Sequence, residues 1–96
     1  MKLFRWATPK NERLSSERGV SFEDIEVAIE QGNLLDMLTH PNLTRYPNQR
    51  IFVVRVGTYV SLVPFVEEES SYFLKTIIPS RKATKMYRGV DDAKEK

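Results

Sequence analysis

Arg50-Ile51-Phe52-Val53-Val54-Arg55-Val56-Gly57-Thr58-Tyr59-Val60-Ser61-Leu62-Val63-Pro64-Phe65-Val66 is the stretch on which the fold turns. Phe52, Val54 and Val56 alternate with Ile51, Val53 and Arg55, which is the period-two pattern of a strand. Gly57-Thr58 then supplies a two-residue hairpin turn with glycine at its first central position, where the backbone needs a positive φ. Tyr59 to Val66 returns as the second strand. Glu67 to Ser71 reads as a solvated polar turn, and Tyr72 to Ile78 as the third strand of an antiparallel meander. Phe73, Leu74, Ile77 and Ile78 fall on both parities, which suits a central or near-central strand covered on both faces. Pro79 has no N–H for a ladder and should end that strand. Ser80-Arg81-Lys82 then opens onto solvent, and a helical turn is expected from Arg81 to about Tyr87.

Upstream, Lys2 to Trp6 reads as a short edge strand. Thr8-Pro9 can start a helix, with the hydroxyl as cap and proline at the first helical position; the helix has little but Leu14 to bury and stops at Gly19. Ser21 caps a second helix, Glu23 and Asp24 suit its first turn, and Phe22, Ile25, Ala28 and Ile29 form a stripe that should face the sheet. Gly32-Asn33 stops it. Leu34 to Thr39 is read as a strand, isolated by the turn signals His40-Pro41-Asn42 and Tyr46-Pro47-Asn48. The expected fold is α+β: an N-terminal strand and two helices packed on an antiparallel sheet, with a short C-terminal helix. Residues 1–96 form one expected domain, of which 89–96 should be a frayed tail.

The apolar fraction of 41% and charged fraction of 29% are those of an ordinary globular chain and argue against disorder. With no cysteine there is no disulfide framework, thiolate chemistry or cysteine zinc site. The start is too short and too charged for a signal peptide, and no apolar run approaches membrane-spanning length. A cytoplasmic protein that makes no use of a membrane, a metal or a cofactor is expected. No phosphate-binding glycine loop, nucleophile elbow or metal-ligand spacing is present.

The net charge of +2 is mild, and its distribution says more. Between Lys75 and Arg88 there are five basic side chains and no acid. Residues 37 to 66 carry Arg45, Arg50 and Arg55, again without an acid, while Glu23, Asp24, Glu26 and Glu30 crowd one helix and Glu67-Glu68-Glu69 form a run. Such segregation can give a basic face for a polyanion. Each feature also has a plainer reading. Arg81, Lys82 and Lys85 can favour the C-terminal end of a short helix, Lys10 and Arg18 can be solubilising charges, and His40 can decorate a turn. Tyr46 and Tyr87 could stack on bases, whereas Trp6, Tyr59, Phe65 and Tyr72 are more simply core or cross-strand residues.

Four ordered segments carry a resemblance: Phe4-Arg5-Trp6, Pro9-Lys10-Asn11, Gly19-Val20-Ser21-Phe22-Glu23 and Ile77-Ile78 followed by Arg81-Lys82-Ala83-Thr84. In that order and spacing they resemble the BrnT family of bacterial toxins over most of the chain. The resemblance implies a relative of the RelE/ParE toxins, acting as the toxic half of a type II toxin–antitoxin pair that blocks translation by cleaving RNA. It also implies a ribbon-helix-helix antitoxin as partner and, through that partner, contact with operator DNA. The chain departs from the family at Ala7, where members often have an acid, at Arg18, where they often have histidine, and at Pro79-Ser80, where Ser-Ala is more usual.

Metal-independent RNA cleavage needs the 2′-hydroxyl deprotonated, the phosphorane charge stabilised and the leaving oxygen protonated. A guanidinium suits the middle task, because its fork can bind two phosphate oxygens at once. The catalytic candidates are therefore Arg81, assisted by Lys82 and Arg50. The RNA-binding candidates are Lys10, Arg18, Arg55, Lys75, Lys85 and Tyr87. A non-catalytic nucleic-acid-binding module and an inhibitor of a protein target, in the manner of the gyrase-poisoning toxins, are the two other classes open to such a sequence.

Overall fold

The computed structural model describes residues 2–39, 45 and 49–87. In chain order the elements are β1 (Leu3–Arg5), α1 (Thr8–Arg18), α2 (Phe22–Glu30), β2 (Leu34–Thr39), β3 (Gln49–Val56), β4 (Tyr59–Glu67), β5 (Ser71–Leu74), β6 (Ile78–Pro79) and α3 (Arg81–Met86). The turn motifs at His40 and Tyr46 and the C-terminal tail lie outside the described residues.

β3 and β4 form the expected hairpin, in register from Gln49 opposite Val66 to Val56 opposite Tyr59. Gly57 takes φ +63° at the turn, the left-handed region that a side chain disfavours. The sheet order is β1-β5-β4-β3-β2, with β6 paired to β4. β1 runs parallel to β5, so the sheet is mixed and not wholly antiparallel as expected. The Lys2–Trp6 segment does lie at an edge.

The strand expected over Tyr72–Ile78 is in fact two pieces. Phe65 faces Leu74 and Leu62 faces Ile78, so β4 advances three residues while the partner chain advances four. One extra residue is a bulge, and it falls opposite Pro64, whose carbonyl accepts from the Lys75 amide at 2.8 Å. A residue's N–H and C=O point to the same side of a strand, so Pro64 presents an acceptor and no donor to that neighbour. The interrupting proline is therefore Pro64, and Pro79 is paired within β6 opposite Ser61. The bulge also shifts parity by one: Ile77 is fully buried, whereas Ile78 is 43% exposed. The central strand is β4.

On one face, α1 and α2 cover Phe52, Val54, Val63, Phe65, Leu74 and Ile77 with Leu14, Val20, Phe22, Ile25 and Ala28. Ile29 packs against this core from a half-buried position. Phe52 and Phe65 stack with centroids 3.8 Å apart, and Trp6 stacks on Phe22 at 5.6 Å. On the other face α3 covers a smaller cluster of Val53, Val60 and Ala83. β3 is thus buried on both sides, which explains why its apolar residues fall on both parities.

Ser21 and Asp24 make the full capping box: the Ser21 hydroxyl accepts from the Asp24 amide and the Asp24 carboxylate from the Ser21 amide. α1 begins one residue earlier than expected. Ala7 is its cap, so Thr8 lies inside the helix and supplies no capping hydroxyl. Asn11 ties the two helices together, donating to the Glu23 carboxylate and accepting from the Phe22 amide, both at 2.7 Å. That bond to Asn11 is the main cause holding the Glu23 carboxyl below its usual range. Asn11, and with it the Pro9-Lys10-Asn11 segment, serves the helix pair.

Candidate nucleic-acid interface

α3 is fixed to the sheet by a short chain of hydrogen bonds. The Ser80 hydroxyl accepts from the Ala83 amide at 3.0 Å, the Thr84 hydroxyl donates to the Ser80 carbonyl at 2.7 Å, and the same hydroxyl accepts from the Val60 amide at 2.8 Å. The Ser80 amide donates to the Val60 carbonyl at 2.9 Å. Only Ala83 is buried, so Arg81, Lys82 and Lys85 stand exposed on a fixed element. None of the three makes an ion pair with a described residue. Arg81 and Lys82 lie in the first helical turn behind the Ser80 cap, at the positive end of the peptide dipoles. The dipole explanation for basic residues there applies to Lys85 alone.

Arg50 is elsewhere. It sits opposite Phe65, on the face that α1 and α2 cover, and its guanidinium pairs with the Glu67 carboxylate at 2.9 Å. The same carboxylate takes Lys2 at 2.7 Å. The Lys2 hydrogen bond is the largest cause of a lowered Glu67 carboxyl pKa, reinforced by the charges of Lys2 and Arg50. Glu68 meanwhile contacts Arg5 at 3.3 Å and accepts from the Ser71 hydroxyl. The acidic run is a solvated turn only in part: Glu69 is exposed between β4 and β5, whereas Glu67 ends β4 and, with Glu68, ties β1, β3 and β5 to it.

The remaining candidates divide. Lys75 is exposed at the bulge, its ammonium 5.7 Å from the Phe73 ring centroid. Lys10 is half-buried in α1. Arg55 is half-buried in β3 and lines a small cleft with Asp24, Gln31 and Asn33. Tyr87 is not free to stack. It packs against the α3-side cluster and donates its hydroxyl to Asp36 at 2.9 Å, and burial, then Asp36, pushes its pKa up. Tyr46 lies outside the described residues.

Arg18 ends α1, where Gly19 takes φ +69° and returns its amide to the Ser15 carbonyl. From there the guanidinium reaches across and donates to the Ile77 carbonyl, next to β6. Arg18 therefore lines a cleft of about 320 Å³ at the end of the sheet, with Val20, Val56, Tyr59, Ser61 and Pro79. Tyr59, read from the sequence as a core or cross-strand residue, is the cross-strand partner of Val56 and is 39% exposed at this cleft. Neither Tyr59 nor Ser61 stands out in the sequence, because their meeting with Arg18 depends on how the helix pair lies over the hairpin. Among the described residues no three His, Cys, Asp or Glu side chains gather as a metal site, and no helix is long and apolar enough to cross a membrane. The chain matches no protein-family model, no curated protein and no solved structure.

Proposed function

We propose that this chain is an RNA-directed toxin of the BrnT kind, with a RelE/ParE-like fold, that inhibits translation in the cytoplasm by cleaving RNA without a metal. The observation that carries the reading is Arg81 and Lys82 in the first turn of α3. Cations at that end oppose the helix dipole, stand exposed and pair with no acid among the described residues, so fold stability does not account for them. A guanidinium on a fixed helix can stabilise a phosphorane, with Lys82 and Lys85 drawing in the backbone. Arg50 has no part in this site, because Glu67 neutralises it on the other face.

The four ordered sequence segments support the same reading and imply a ribbon-helix-helix antitoxin, which would carry the complex to operator DNA. Leu38, Met86 and Lys82 border a shallow groove beside α3. An antitoxin segment bringing acids and a few apolar anchors would suit it. RNA and antitoxin should then compete.

The test is incubation of purified protein with RNA in the presence of a chelator. Cleavage that is lost in Arg81→Ala, with the melting temperature kept, is the expected result. RNA retarded intact would mean a non-catalytic binder, and growth arrest without either would point to a protein target.

A further inference from the structure

The cleft beside Arg18 has no role in the site on α3, and its lining is unusual. The chain has two buried serines described, Ser61 and Ser71. Ser71 donates to Glu68, whereas the Ser61 hydroxyl, in a residue only 3% exposed, has no hydrogen-bond partner among the described residues and lines the cleft. The hydroxyl itself reaches the open space of the cleft, so its donor and its acceptor capacity are both available to a ligand. Around it stand a flat aromatic ring at Tyr59, apolar walls at Val20, Val56 and Pro79, and the guanidinium of Arg18. The bond from Arg18 to the Ile77 carbonyl fixes that guanidinium with other N–H groups left over. Among the described residues no acid lines the space. A cleft of about 320 Å³ is at the lower end of ligand-pocket sizes.

We infer that this cleft is a nucleotide pocket: a nucleobase stacks on Tyr59 between the apolar walls, its polar edge bonds the Ser61 hydroxyl, and the attached phosphate is held by Arg18. The choice of ligand rests on the RNA-directed reading above, and it adds a place where one nucleotide of the strand is seated. Stacking on an aromatic ring suits any base, while a hydroxyl that both donates and accepts discriminates weakly among base edges. The pocket anchors the strand more than it reads its sequence.

The test is an amide-resolved NMR titration of the full chain with adenosine 5′-monophosphate, uridine 5′-monophosphate and sodium phosphate as separate arms. Both nucleotides should shift Gly19, Val20, Tyr59 and Ser61 saturably. Tyr59→Ala should weaken binding about ten-fold and Tyr59→Phe by less than roughly two-fold, since the ring and not the hydroxyl does the stacking. Ser61→Ala should weaken binding by roughly three-fold while leaving the melting temperature unchanged, because the hydroxyl makes no bond to another described residue. A purely structural Ser61 would lower the melting temperature instead, and that result overturns its assignment. Shifts confined to α3, no saturation, or phosphate alone reproducing the nucleotide shifts would overturn the pocket, even with RNA cleavage intact. Saturable nucleotide binding without RNA cleavage would keep the pocket and reject the catalytic reading.

Discussion

On the face of the sheet beneath α1 and α2, Arg50 and Lys2 share the Glu67 carboxylate and Arg18 is tied to a backbone carbonyl. On the opposite face, Arg81, Lys82 and Lys85 project from α3 and make no ion pair among the described residues. The two groups are indistinguishable as charge. What separates them is whether a neighbouring strand delivers a carboxylate, as β4 does when Glu67 lies diagonally across from Arg50. The first face also holds the aromatic core, and the second only a small aliphatic cluster. One face is occupied with folding, while the other leaves charge and apolar surface uncovered.

Substitutions that break this contrast should differ in kind as well as size. Phe65→Ala removes a fully buried ring stacked on Phe52 and should cost about 3–5 kcal/mol in denaturant unfolding. A loss no larger than that of a substitution on the α3 face would abolish the distinction between the faces. Thr84→Val should cost about 1–3 kcal/mol, since it strands the Val60 amide to which Thr84 now offers its hydroxyl. An unchanged midpoint would mean that α3 is held by packing alone. Arg50→Ala should cost less than about 1 kcal/mol, as half-exposed ion pairs do, and leave any RNA cleavage in place. Arg81→Ala should reverse that pattern, with stability kept and cleavage lost; equal behaviour of the two arginines would end the comparison.

The smallest expected effect is a dependence on pH. The Glu67 carboxyl titrates lower in the folded chain than the ordinary value, so its contribution to stability is complete above that value and disappears as pH falls through the folded one. Melting temperatures measured from pH 6 down to about 3 should therefore fall more steeply for the native chain than for Glu67→Gln. Parallel curves would show that Lys2 and Arg50 gain nothing from the carboxylate.

Much of the fold was legible because it depends on neighbours in sequence. Ser21 with Asp24, Gly19 and Gly57 act within a turn, and the stripe from Phe22 to Ile29 acts within one helix. The site was legible only in part. The acid-free run after Lys75 pointed to α3, yet the same reasoning drew in Arg50 and Tyr87, which the structure gives to Glu67 and Asp36. The sequence marks Tyr59 only as a core or cross-strand residue and Ser61 not at all, because an alternating strand gives no hint of which inward position will lack a covering helix.

The sequence alone determined most of the strand and helix segments, which of their sides are apolar, and that basic charge collects near the C-terminus. These follow from local backbone preferences and from the periods of two and 3.6 residues. Only the tertiary structure decided the parallel pairing of β1, the bulge opposite Pro64, the closure of Glu67 on Lys2 and Arg50, and the cleft where Arg18 meets Ser61. Each of these joins residues far apart in the chain, and register and layer packing, which set such meetings, are properties of the assembled sheet.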